Sequence, residues 1–148
     1  MIKIIHFIAA ITATLCITLF FSSTIIVELF APHETITTVK SLIVSPGLFI
    51  LIPAIAITGG SGFTLAKIRS GRLINSKMQR MPFIGLNGIL VLLPSAIFLD
   101  IWATSGMFDT RFYLVQALEL IAGLINLVLM GMNMRDGLKL SGKIGARL

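Results

Sequence analysis

Apolar residues fall in four long runs along this chain, and polar residues collect between them. The runs cover about 4–30, 41–66, 82–101 and 112–135. An α-helix needs about 17–25 apolar residues to cross a hydrocarbon layer of about 30 Å. The apolar part of the third run, Phe83 to Leu99, sits near the lower limit, and the other runs exceed it. The pattern predicts four membrane-crossing helices that use the whole chain as one domain. Loops are expected at 31–40, where Pro32 and β-branched threonines break the run, across a basic connector near 67–82, and at 100–111.

Within these runs, local residues change the picture in places. The first has a basic start at Lys3, as a signal peptide would. It is longer than a signal's apolar core, and no small-x-small site closes it, so a retained first helix is expected. Pro46 and Pro53 lie seven apart on one face of the second helix and should kink it. Its end, Thr58-Gly59-Gly60-Ser61-Gly62, lacks the Gly-Lys-Ser/Thr ending of a phosphate loop and suits close helix packing or a frayed end. Ala56, Gly60 and Thr64 form a small-residue ridge at four-residue spacing.

The fourth run carries an unusual set of polar and small residues: Gln116, Glu119, Gly123, Asn126 and Asn133, spaced 3, 4, 3 and 7 apart. A period near 3.5 places all five on one stripe of a helix. Glu119 lies seven residues in from Phe112, which is about 10 Å below the helix end. A charged side chain there costs about 2.5–3.5 kcal/mol, so it should face protein and be paired, or be protonated. The expected site is a polar pocket built from Lys40, Asp100, Tyr113, Gln116 and Glu119, open to one side of the membrane. Asn87, Asn126, Asn133 and Gly123 are expected to serve helix packing, with Asn87 and Asn133 as partners between the third and fourth helices.

Composition agrees with a membrane setting. Of 148 residues, 56% are hydrophobic and only 12% are charged, too few to cover a water-soluble core of this size. The net charge of +6 is explained by position. With the N-terminus cytoplasmic, ten of the twelve basic residues fall on the inner side, and only Lys40 and Arg111 fall on the outer side. That bias orients both termini to the cytoplasm of a bacterial-type inner membrane, with Trp102, Phe108 and Tyr113 at the outer interface. No basic stripe interleaves with aromatics, so no nucleic-acid role is expected. The single cysteine, Cys16, excludes an internal disulfide or CxxC chemistry.

The tail repeats basic residues every four positions: Arg135, Lys139, Lys143 and Arg147. On a helix they share a face suited to anionic lipid headgroups, worth about 1 kcal/mol each. No His/Cys/Asp/Glu cluster has metal-ligand spacing. His6 and His33, 27 residues apart, fall at opposite ends of the first span and cannot ligate one haem within a single chain. The opening KIIHFIAA, with Lys3 and His6 three apart, and a Thr-Gly turn closing the second span resemble copper-resistance-D-like and related cytochrome-b-like four-helix membrane proteins. The resemblance covers the first 65 residues and implies a four-helix fold; the further histidine ligands of such families are missing from the other spans.

These observations predict an all-α, polytopic, up-down bundle of four transmembrane helices. The expected function is binding or passing a small molecule, lipid or proton around Glu119. The alternatives are a structural or accessory subunit of a membrane complex, and a haem protein in which His6 bridges two protomers. No resident cofactor and no catalytic residue is predicted. The implied partners are the bilayer, anionic headgroups, and a second copy or larger membrane assembly.

Overall fold

The computed structural model describes residues 1–67 and 71–142. It is all helical, with four helices long and apolar enough to cross a membrane: α1 (Ile2–Phe30), α2 (His33–Lys67), α3 (Arg72–Thr104) and α4 (Thr110–Leu140).

The helices run further than the apolar pattern alone indicates. Most of the expected loop 31–40 is instead helical: His33–Leu42 forms helix and continues into α2. Pro32 stands at its N-cap, Glu34 lies in the first turn, and Lys40 lies in the last. Glu34 complements the positive end of the helix dipole there. The threonines are accommodated because their hydroxyls bond back along the helix: Thr37 Oγ1 donates to His33 O (2.9 Å) and Thr38 Oγ1 to Glu34 O (3.0 Å). The part of the basic connector from Arg72 on is also helical, and residues 68–70 lie outside the described residues. α3 begins at Arg72, after Gly71, whose φ of +140° is a conformation that favours glycine. The stretch 58–62, expected to serve close helix packing or to fray, is continuous helix. At the other end, α4 extends to Leu140 and takes up part of the predicted tail.

Two helices open locally into wide π-helical turns. In α2 the turn spans Ile43–Leu48, where Ser45 is non-helical (φ −138°, ψ 115°) and Pro46 follows through a cis bond. Proline lacks the N–H that would continue the ladder, so the kink has a local cause. In α3 the wide turn spans Gly88–Leu92, just ahead of Pro94.

Two apolar clusters hold the helices together. One centres on Ala13, Ile17, Ile43, Leu48 and Met130. The other joins Val27, Ile36, Leu99, Ala103 and Phe112 near the opposite end. The α1–α2 pairing, through residues 49–67 of α2, is the most extensive contact. Gly62 leaves room for Met81 of α3 and His6 of α1, because a Cβ at that position would lie 2.7 Å from Met81 Cε and 3.1 Å from His6 Cε1. Gly60, in the expected ridge, faces open space instead. Large apolar side chains such as Leu19, Phe49, Leu90 and Leu114 point outward around the bundle.

Candidate functional site

The start of α4 positions the site. Asp109 caps the helix, its Oδ1 accepting from the backbone N–H groups of Arg111 (3.0 Å) and Phe112 (3.1 Å). Phe112 is fully buried and sets the rotation of the helix. Gln116, Gly123 and Asn126 then face the interior, with Glu119 in their midst.

Glu119 Oε2 accepts from Lys40 Nζ at 2.8 Å and from Gln116 Nε2 at 3.0 Å. Lys40 is 1% exposed, the largest fully buried side chain among the described residues. Its ammonium also lies 3.4 Å from Thr24 Oγ1 on α1. A buried ammonium is tolerable only when paired, and Glu119 supplies the counter-charge. Lys40 reaches it because 33–42 is helical, which puts Ile36 and Lys40 on one buried face one turn apart.

The structure assembles part of the expected pocket and leaves part outside. Lys40, Gln116 and Glu119 are in direct contact. Asp100 is adjacent but differently engaged, accepting from Ser41 Oγ at 2.6 Å. Tyr113 is exposed, its ring edge-on to Phe112 at 5.3 Å, and it makes no hydrogen bond to the cluster. Two unforeseen residues join from α1. Thr24 contacts Lys40, and Glu28, one turn later, lies within electrostatic range of both Lys40 and Glu119. Their four-residue spacing was a readable signal for a shared face, but nothing in one dimension directs that face at α4.

Hydrogen bonding around this cluster is unbalanced. Glu28 Oε1 and Gln116 Oε1 are buried acceptors with no donor among the described residues. Beside the cluster lies a cavity of about 210 Å³. Glu119, Thr24 and Asn126 bring the polar side chains to its wall, and the rest is apolar residues and glycines, including Ile17, Leu51 and Gly123. The wide turns of α2 and α3 border it through Ile43 and Leu48 and through Gly88 and Leu92.

Below the cavity, Asn87 Nδ2 donates to Asn126 Oδ1 and to Ala122 O, both at 2.9 Å. Asn126 Nδ2 donates in turn to Ile84 O at 3.3 Å. The expected Asn87–Asn133 partnership is therefore corrected: the α3–α4 register matches Asn87 to Asn126. Asn133, two turns further along α4, accepts from Arg80 at 3.4 Å instead. Arg80 also pairs with Asp136 at 2.7 Å, and that carboxylate is 3% exposed. Asp136 extends the α4 stripe by three residues, a continuation hidden by its place in the predicted tail.

Of the basic tail, Arg135 is exposed and Lys139 is half-buried on the end of α4. Lys143 and Arg147 lie outside the described residues. His6 Nδ1 is hydrogen-bonded to Ser61 Oγ at 3.0 Å, while His33 stacks on Phe108 with centroids 3.9 Å apart. The two histidines thus belong to opposite ends of the bundle. No group of three or more potential metal-ligating side chains occurs among the described residues. No family model, curated protein or solved structure matches the chain.

Proposed function

We propose that this chain is a multi-pass inner-membrane protein that binds a small, largely apolar molecule between its helices, with the polar end of that molecule at Glu119. The helices cross up-down-up-down, and both termini face the cytoplasm. The ten-to-two distribution of basic residues supports that orientation. The single observation behind the binding reading is the cavity of about 210 Å³ with Glu119 on its otherwise mainly apolar wall. An apolar cavity of about 150 Å³ already admits benzene, and apolar pockets with a few convergent polar groups are the usual form of small-molecule sites.

Filling the cavity tests this reading. Gly123 lines it, and a Cβ there meets Phe21 at 3.4 Å and Leu92 at 4.0 Å, so a larger side chain extends into the space. Native mass spectrometry of protein released from membrane vesicles should show a bound small molecule in the parent chain and its loss in Gly123→Leu. An identical adduct pattern in the two folded proteins removes the reading. A structural or accessory role is the second reading, favoured by the way Lys40 already neutralises Glu119 inside the bundle. It is preferred if the chain leaves native membranes only within a larger assembly and carries no adduct.

A further inference from the structure

Three residues bring polar side chains to the wall of the cavity, and two of them have an atom to spare. Glu119 uses Oε2 for both of its hydrogen bonds, from Lys40 at 2.8 Å and Gln116 at 3.0 Å, and its Oε1 has no donor among the described residues. Thr24 is 2% exposed and accepts from Lys40 Nζ at 3.4 Å. Its own hydroxyl hydrogen has no acceptor among the described residues. The third residue, Asn126, is already engaged: Oδ1 accepts from Asn87 and Nδ2 donates to Ile84 O. One ammonium, that of Lys40, touches both Glu119 and Thr24, so the spare acceptor and the spare donor belong to neighbouring side chains. Lys40 also balances the charge of Glu119, so the pair presents no net charge to the cavity.

We infer that the cavity holds an uncharged alcohol or phenol: one hydroxyl on an apolar body, between Glu119 and Thr24. This rests on the cavity reading above and names the chemical class of the ligand. A hydroxyl carries one hydrogen and two lone pairs. The hydrogen goes to Glu119 Oε1, and a lone pair accepts from Thr24 Oγ1. Other polar ends fit less well. An ether has lone pairs but no hydrogen to give. An ammonium has hydrogens but no lone pair, and it adds a second positive charge beside Lys40. A carboxylate brings a second negative charge against Glu119. The apolar body lies among wall residues such as Ile17, Leu51 and Leu92. Its size follows from the volume of about 210 Å³. A cavity of about 150 Å³ admits benzene, so this one takes about eight to ten non-hydrogen atoms.

Four probes built on one phenyl ring separate these classes: 3-phenylpropan-1-ol, its isomer 2-phenylethyl methyl ether, 3-phenylpropylamine and 3-phenylpropanoate. Each is dialysed at neutral pH against the full chain in nanodiscs, with empty nanodiscs correcting for partition into lipid. The alcohol should bind at least about tenfold tighter than its isomeric ether, the effect of one hydrogen bond to a charged acceptor. The amine and the acid should both bind more weakly than the alcohol. Replacing Lys40→Met and Glu119→Leu together removes the acceptor and both charges, and should abolish the preference for alcohol over ether while the ether still binds. Thr24→Val keeps the shape of the side chain and should weaken alcohol and ether alike, by about fivefold, because both offer a lone pair. Equal affinity for alcohol and ether in the parent chain, or an amine or acid that binds tighter than the alcohol, overturns the hydroxyl site alone. So does a preference that survives loss of the Glu119 carboxylate or, if that paired variant does not fold, alcohol binding unchanged in Thr24→Val. Failure of all four probes to bind the parent chain overturns the cavity reading with it.

Discussion

Lys40 and Glu119 are 79 residues apart in sequence and 2.8 Å apart in space, with the lysine side chain 1% exposed. Neither group has an inexpensive way to exist alone at that depth. The pair therefore ties the start of α2 to the upper half of α4. Lys40→Met leaves the carboxylate unpaired and should destabilise the bundle by about 3 kcal/mol. Adding Glu119→Leu should restore much of that loss. Unfolding midpoints of the single and double variants in mixed SDS micelles measure the coupling, and strictly additive effects would show that the two side chains do not act as a pair.

The asparagine contacts define the register of α3 against α4. Asn126 is 0% exposed and hydrogen-bonded at both ends of its amide, whereas Asn133 is half-buried and makes one long bond. Asn126→Ala should cost about 1–2 kcal/mol, and Asn133→Ala less than about 0.6 kcal/mol. The same unfolding assay ranks them, and the opposite order would mean that the helices are matched differently.

Two glycines of α2 should respond in opposite directions. A Cβ at Gly47 would lie 2.6 Å from Phe20 Cζ and 3.0 Å from Leu42 O, and the backbone oxygen cannot easily move. Gly47→Ala should destabilise by about 1–3 kcal/mol. At Gly60 nothing lies within 4 Å. Gly60→Ala there should stabilise the helix by about 0.4–1 kcal/mol. Comparable losses at the two sites would contradict the packing of α1 on α2.

The orientation can be read by labelling. In a Cys16→Ser background, cysteines replace Lys3, Arg111 and Arg135 one at a time, and all three positions are exposed. A membrane-impermeant maleimide added to intact spheroplasts should modify Arg111→Cys. The Lys3 and Arg135 replacements should react only after permeabilisation. Labelling of Lys3 and Arg135 from opposite sides would exclude a paired, four-crossing arrangement.

How much was legible beforehand differs from residue to residue. The inward stripe Gln116, Glu119, Gly123 and Asn126 followed from its 3.5-residue spacing, because a helix's periodicity turns sequence distance directly into angle. Asp136 extends that stripe but was hidden by the basic residues around it. The helix at 33–42 was missed because threonine and proline signal a break, whereas here the threonine hydroxyls bond within the helix and its buried face packs on α3.

By itself, the amino-acid sequence determined that four helices are long and apolar enough to cross a membrane, where the charges concentrate, and which face of the last helix is polar. Those properties depend on length, hydropathy and helical period, all of which are local. Only the tertiary structure decided that Lys40 bridges Glu119 and Thr24, that Asn87 takes Asn126 rather than Asn133, and that Tyr113 turns outward. These depend on how each helix is rotated and slid against its neighbours. Rotation and sliding are set jointly by every side chain in the contact, including the wide turn at Ser45–Pro46 and the buried ring of Phe112, and no single stretch of sequence contains that information.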